Sequence, residues 1–187
     1  MTVARPPAEI PLEELGAVVR RHRLTDLDEL HSVIEESRDH LRPFMFWADQ
    51  GREDTATFLA GSVESWEADR EYGYVIVDAD NGSVLGGGGL HRRGVPEAVE
   101  IGYWRRADAG GRGLITGMAR ALTTAGLALD GIEHVEIRCD VANEASARVP
   151  RRLGYTLVRI IDTPPKAPAE TGRQMVWASP PDWPPSL

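Results

Sequence analysis

The chain has 187 residues, 42% of them hydrophobic and 27% charged, a composition typical of a single globular domain. Its formal net charge of −8 disfavours a nucleic-acid-binding surface, and its one cysteine, Cys139, excludes an internal disulfide and a cysteine-based metal cage. Because no apolar run approaches the roughly 18 residues of a membrane span and the first residues lack a signal core, we expect a cytoplasmic protein with no metal, nucleic-acid or membrane partner.

The two ends of the chain are predicted to be irregular tails. Residues 1–16 are rich in proline and glutamate, and residues 179–187 contain four prolines. The folded part is therefore expected to be one domain over residues 17–178.

The first third of this domain is predicted to contain one strand and two helices. Residues 17–23 alternate weakly between apolar and polar, as a strand does. Thr25 is placed to cap an amphipathic helix that ends near residues 40–41. A second helix is expected over residues 54–70, with these side chains facing inward: Phe58, Leu59, Val63 and Trp66.

The middle and the end of the domain alternate strands with two further helices. Residues 72–78, 84–92 and 98–105 are expected to form an antiparallel meander, with its first turn at the Asn-Gly pair of residues 81–82. A helix over residues 112–130 follows a glycine-containing loop. The remaining elements are a strand at 134–140, a helix at 143–153, and strands at 155–162 and 174–178. This order predicts a mixed α/β or α+β domain built on one central sheet.

The loop between the third meander strand and its helix carries the first functional signal. Gly111 and Gly113 stand where the helix begins, so unpaired backbone N–H groups meet the positive end of the helix dipole there. Such a place suits a pyrophosphate group and implies an anionic cofactor. Glycines before a helix are also common turn residues, and that alternative stays open.

A longer pattern carries a family resemblance. EIGYW, a six-residue loop, Gly-Arg-Gly and a helix are followed by a strand, then Asn143-x-x-Ser146 and Leu-Gly-Tyr. Together with the upstream segment SRDHLRPFMFW, this order resembles the GNAT superfamily of N-acetyltransferases, in particular its RimJ/RimL-like branch, over about residues 17–178. The resemblance implies a mostly antiparallel sheet, splayed at the cofactor site and flanked by about four helices.

The resemblance also implies acetyl-CoA as co-substrate and assigns residues to it. The glycine loop would bind the pyrophosphate through backbone amides, and the strand that precedes it would bind the pantetheine arm. By position the cofactor-binding residues are Trp104, Arg105, Gly110, Gly111, Arg112, Gly113, Leu114, Ile115, Thr116, Asn143 and Ser146. Two positions depart from the family pattern: Gly110 lacks a side-chain donor, and Ile115 is bulkier than the usual small residue. We expect both departures to weaken the binding of the cofactor.

Acetyl transfer to an amine needs a base, and Glu100 is the candidate, at the start of the strand beside the expected cofactor cleft. The alternative is a structural carboxylate that pairs with Arg138 or a neighbour. His91, His40 and Asp49 are weaker candidates.

The departing thiolate needs a proton donor. Many superfamily members carry a tyrosine seven residues after the asparagine, but Pro150 stands there, so Ser146 becomes the catalytic candidate. Ser146 is equally suited to an ordinary first-turn bond with the backbone. Pro150 is expected to kink or shorten its helix, and Asn143 to cap it.

The acceptor side is expected to include the aromatic segment near the first helix. Its residues are Phe44, Phe46 and Trp47, joined by His91. Aromatic residues this dense are also typical of a core. The implied acceptor is a primary amine: a protein N-terminus, an amino acid, a polyamine or an amino-bearing antibiotic. We expect a monomer or homodimer. Two alternatives remain: a domain that binds acyl-CoA or a peptide without turnover, and a nicotinamide-dependent oxidoreductase suggested by Gly111-x-Gly113-x-x-x-Gly117 at the start of a helix.

Overall fold

A computed structural model describes residues 5–184. In chain order the strands are β1 (Glu9–Leu12), β2 (Ala17–Arg21), β3 (Tyr72–Asp78), β4 (Val84–His91), β5 (Ala98–Arg105), β6 (His134–Asp140), β7 (Thr156–Asp162) and β8 (Arg173–Ala178). The helices are α1 (Leu27–Glu36), α2 (Arg38–Leu41), α3 (Arg52–Glu67), α4 (Leu114–Leu127) and α5 (Glu144–Arg152). Within the described range, no helix combines the length and apolar character that crossing a bilayer requires.

All eight strands join one sheet in the order β1-β2-β3-β4-β5-β6-β8-β7. Neighbouring strands run antiparallel except β5 and β6, which are parallel. The predicted fold class, a mostly antiparallel sheet with about four helices, is confirmed. A dinucleotide-binding fold needs a doubly wound parallel sheet, so the oxidoreductase alternative is wrong.

Two apolar cores lie on opposite faces of the sheet. On one face α4 contributes Met118 and Leu122, which pack against Ile137 of β6. On the other face Leu30 of α1 and Leu59 of α3 pack with a separate set of strand residues. Because neighbouring residues of a strand point to opposite faces, β3 and β4 supply both cores.

The parallel pair separates halfway along. Pairing runs from Ala98 with His134 to Ile101 with Ile137, and no later residue of β5 pairs with β6. β6 meanwhile stays paired with β8 as far as Asp140. The two central strands therefore splay apart after Ile101, as the family resemblance implies.

The prediction of an irregular N-terminal tail is wrong for the described part of residues 1–16. Glu9–Leu12 pair antiparallel with β2, and Ile10 and Leu12 pack against the core of the α4 face. Pro11 between them hid the alternation, but a proline is tolerated in an edge strand because one side of that strand needs no donor. Residues 1–4 lie outside the described range.

The C-terminal tail is irregular over residues 179–184, as predicted, and 185–187 lie outside the described range. This segment nevertheless packs on the domain. The indole Nε1 of Trp183 donates to Thr124 Oγ1 at 2.9 Å, and its ring contacts Tyr155 edge to face.

Three details of the predicted helices need correction. The first helix breaks at Ser37, whose hydroxyl accepts the backbone N–H of Ala107 at 3.1 Å. Thr25 does not cap it; Asp26 accepts the backbone N–H of Arg23 instead. In α3, Phe58 is exposed although its spacing placed it on the inner face, because its side of the helix faces a cavity while Leu59 faces the core.

Candidate active site

The splay opens into a cavity of about 790 Å³. On one side it is lined by Gly102, Tyr103 and Trp104 of β5, and on the other by Arg138 and Cys139 of β6. The cavity continues across the sheet face under α3. Strand backbone that has lost its neighbour is thus exposed to this space, where an extended ligand arm can pair with it.

The glycine loop leads from the end of β5 to the N-terminus of α4. Gly111 and Gly113 have φ of +80° and +76°, the left-handed region that a glycine adopts without strain. Gly113 is the N-cap, no side chain caps the helix, and its first turn holds no acidic residue. The first-turn amides are therefore available to an anion, and these residues fit a pyrophosphate.

Two positions in this loop depart from the family pattern, Gly110 and Ile115, and the structure shows what surrounds each of them. The guanidinium of Arg105 lies 3.3 to 3.4 Å from where a Cβ at Gly110 would stand, and it donates to the carbonyls of Arg106 and Ala107 at 2.8 and 2.7 Å. A cation therefore takes the space of the absent side chain and fixes the loop. Ile115 packs against the core of the α4 face.

The side chains of the other predicted cofactor residues have different surroundings. Leu114 is buried in the core and Thr116 is half-buried at the start of α4. The side chain of Arg112 donates to the carbonyl of Leu15 at 2.9 Å, so its contribution to the loop comes from the backbone. The indole of Trp104 packs edge to face on Trp47 at 5.7 Å.

Glu100 pairs with Arg138 and Arg93, which is the structural role that the sequence left as the alternative to a catalytic base. Its Oε2 lies 3.3 Å from Arg138 Nε and 3.6 Å from Arg93 Nε. Arg138 also binds the buried Glu136, the partner of Glu100 in the parallel register. Glu100 is not among the described residues that line the cavity. The carboxylate thus clamps β5 to β6 just before the splay.

Ser146 lies at the splay, on the first turn of α5. Asn143 caps this helix as predicted, accepting the N–H of Ser146 at 3.1 Å. Pro150 lies inside α5, which ends two residues later. The hydroxyl of Tyr103 lies 3.1 Å from both the Oγ and the carbonyl oxygen of Ser146. Burial raises the pKa of Tyr103, so this phenol stays protonated.

The predicted aromatic segment forms part of the cavity wall. Phe44, Phe46 and Trp47 all line it, and the Phe46 side chain is exposed. Lys166 of the loop between β7 and β8 lies over the Phe46 ring at 5.9 Å. Trp66, by contrast, is buried in the core of the α4 face.

His91 also lines the cavity, at the end of β4. Its Nδ1 lies 3.2 Å from Glu71 Oε2. The weaker candidates His40 and Asp49 are both exposed, and Asp49 pairs with Arg42 at 3.1 Å.

A row of three glycines crosses the sheet beneath His91. Gly73, Gly89 and Gly102 are register partners on β3, β4 and β5. A Cβ at Gly73 would lie 2.5 Å from His22 Nδ1, and one at Gly89 would lie 3.2 Å from His91 Nε2. The row therefore lets both imidazoles lie directly on the sheet. His22 is bonded to Ser62 at 2.7 Å, and burial lowers its pKa to about 4.

Sequence reasoning missed Tyr103, Glu71 and His22. Tyr103 had a usable signal, because strand alternation places it on the face of Val99 and Ile101, toward α5. Glu71 and His22 had no such signal in the sequence. Glu71 meets His91, and His22 meets the glycine row, only through the register of separate strands.

A putative ribosomal N-acetyltransferase, YdaF of Bacillus subtilis (strain 168), is 29% identical over 135 residues, 70% of this chain and 72% of that protein.

Two solved structures share the fold. RimL, a ribosomal L7/L12 alpha-N-protein acetyltransferase in complex with coenzyme A, superposes with a TM-score of 0.81 at 21% identity, covering 91% of this chain and 96% of that one. Mycobacterium smegmatis RimJ in complex with CoA-disulfide superposes with a TM-score of 0.84 at 18% identity, covering 100% and 93%. The profile of the acetyltransferase (GNAT) domain family matches residues 17–156, well over half of the sequence, and the chain therefore belongs to the GNAT acetyltransferase family.

Proposed function

We propose that this protein transfers an acetyl group from acetyl-CoA to the α-amino group of a protein N-terminus. The observation that carries the proposal is the splay after Ile101, because it joins the uncapped N-terminus of α4 to a cavity on the opposite face of the sheet. A cofactor site and an acceptor site thus meet at one gap.

The residues divide the work by position. Acetyl-CoA supplies the thioester-activated acetyl group. The amides around Gly111 and Gly113 bind its pyrophosphate, and the unpaired backbone of β5 after Ile101 receives its arm. The Ser146 hydroxyl lies beside this gap, 3.1 Å from the Tyr103 hydroxyl, where a hydrogen-bond donor stabilises charge on a departing sulfur.

Three features favour an extended acceptor over a small one. The cavity runs from Ser146 on α5 to Ser65 on α3, and about 790 Å³ exceeds the need of a single amino acid. The exposed rings of Phe46 and Phe58 stand at its rim. Its walls also carry Asp54 and Glu170, which attract a cationic amine. The names of YdaF, RimL and RimJ point in the same direction.

The test compares matched acceptors in one assay. The protein is incubated with acetyl-CoA and peptides that carry either a free or a formylated N-terminus and one internal lysine, and tandem mass spectrometry locates the acetyl group. We expect acetylation of the free N-terminus alone. Acetylation of lysine, or only of an amino acid, polyamine or amino-bearing antibiotic in parallel reactions, would contradict the acceptor class.

Two further measurements distinguish catalysis from binding alone. Coenzyme A titration by calorimetry measures binding, and release of free thiol measures turnover. Tight coenzyme A binding with no turnover on any acceptor would instead support a domain that only binds its ligand.

A further inference from the structure

His91 occupies a particular place in the cavity. The side chain is 23% exposed, and a Cβ at Gly102 would lie 3.5 Å from its Nε2. Gly102 is the first β5 residue beyond the pairing with β6. The Nε2 of His91 therefore lies over the sheet at the edge of the splay, where the cofactor and acceptor sites meet.

Glu71 determines which ring nitrogen carries the proton. Its Oε2 lies 3.2 Å from His91 Nδ1, and this hydrogen bond lowers the pKa of the Glu71 carboxyl. An ionised carboxylate only accepts hydrogen bonds, so Nδ1 is the protonated nitrogen of the neutral ring. The lone pair is then on Nε2, and within residues 5–184 no protein group hydrogen-bonds to that atom.

The surroundings of His91 favour this arrangement. The titratable or charged groups that face it are Glu71 before β3, His22 after β2, Glu100 across the strand pair on β5, and Arg93 after β4. Arg93 and Glu100 pair with each other at 3.6 Å, and burial keeps His22 neutral near pH 7. The carboxylate of Glu71 is thus the charged group nearest the ring, and Arg93 and Arg70 act on that carboxylate in turn.

We propose that His91 is the general base of the acetyl transfer and that Glu71 is its positioning residue, an inference that rests on the proposed function. Nε2 accepts the proton that the acceptor nitrogen loses as the new N–C bond forms, and the electron pair of the broken C–S bond goes to sulfur. Gly89 and Gly102 provide the clearance that holds the ring against the sheet. Glu100 does not itself line the cavity; it is held by the guanidinium groups of Arg93 and Arg138, which do, and it is the clamp between β5 and β6.

The test uses His91→Gln and Glu71→Gln, with His134→Gln as the matched control. His134 stands at the other end of β6 from the splay. Turnover with a free-N-terminus peptide is measured from pH 5 to about pH 9, beside coenzyme A affinity and thermal unfolding. We expect His91→Gln to lose on the order of 10²–10⁴-fold in kcat and to lose the acidic limb of the profile, with coenzyme A affinity retained.

Glu71→Gln is expected to lower kcat and to change the acidic limb while coenzyme A affinity is retained, because Nδ1 loses the carboxylate that fixes the ring and its tautomer. Glu71→Asp is expected to restore part of that change. His134→Gln is expected to match the wild type. If His91→Gln does not fold, the limb in Glu71→Gln decides the question.

The experiment distinguishes failure of the His91 assignment from failure of the proposed function. A wild-type rate and an unchanged acidic limb in both His91→Gln and Glu71→Gln would overturn the assignment and leave the proposed function standing. No acetylated product with any acceptor from the wild-type protein would remove the proposed function and this assignment with it.

Discussion

The hydroxyl of Tyr103 donates to the carbonyl oxygen of Ser146 across 3.1 Å, from β5 to α5. In a regular helix that carbonyl accepts the N–H of the residue four positions later, which here is Pro150 and has no N–H. A phenol from a neighbouring strand therefore satisfies the carbonyl that the proline leaves without a donor. The same hydroxyl lies within 3.1 Å of Ser146 Oγ, so a helix defect and a candidate catalytic serine share one side chain.

We expect Tyr103→Phe to destabilise the fold by about 1–3 kcal/mol, because it leaves the Ser146 carbonyl without a partner. Pro150→Ala restores an N–H at the required position. In the double variant the loss should be much smaller than in Tyr103→Phe alone, and urea denaturation measures the coupling. Additive effects would show that the two residues act independently.

We expect Ser146→Ala to lower turnover by roughly one to two powers of ten, the effect of one lost hydrogen bond to a charged group. Coenzyme A affinity should change little, because the capping bond of Asn143 uses the backbone N–H of Ser146 and survives the change. Thiol-release kinetics and calorimetry measure the two quantities. An unchanged rate would return Ser146 to the role of a helix-turn residue.

Gly113→Val should weaken coenzyme A binding by about 10–100-fold, since it displaces one or two amides that each bind a charged group. Gly131→Val is the matched control, because Gly131 has the same φ of +76° but lies in the turn between α4 and β6. Both variants should lose about 1–2 kcal/mol of stability from the left-handed backbone. Equal coenzyme A affinities in the two variants would argue against this loop as the cofactor site.

The stability of the protein should decrease with falling pH over a pH range that the titration of His22 determines. Burial lowers its pKa from 6.5 to about 4, so below pH 6.5 the unfolded chain binds a proton that the folded chain does not. Stability is therefore lost as the pH falls from 6.5 to about 4, by about 3 kcal/mol, and this contribution levels off below that pH. Urea denaturation of wild type and His22→Asn between pH 7 and pH 4 should show a smaller decline in the variant. Parallel declines would assign the loss to other groups.

Glu100→Gln should lower turnover less than about tenfold and keep the acidic limb, because we assign this carboxylate to the clamp between two strands and the role of base to His91. Its main effect should be on stability, since Arg138 loses one of its two carboxylate partners. A loss of the acidic limb in Glu100→Gln would return the base to the position first predicted for it.

The sequence by itself determined the order of the elements and much of their extent. The predicted bounds of β3, β5 and β6 agree with the structure, because β3 is largely apolar, β5 and β6 alternate between apolar and polar or small residues, and turn or loop residues flank all three. The cap at Asn143 and the glycine loop before α4 were also predictable from the sequence, since helix capping and left-handed backbone depend on a few adjacent residues.

Only the tertiary structure decided the chemistry of the site. The pairing of Glu100 with Arg138 depends on the parallel register of β5 and β6, and the bond from Tyr103 to Ser146 joins residues 43 positions apart. Glu71 reaches His91 across an antiparallel pair, over a glycine row that exists only when three strands align. The physical reason is that strand register brings distant residues within hydrogen-bond range, whereas local periodicity specifies only which face each side chain takes.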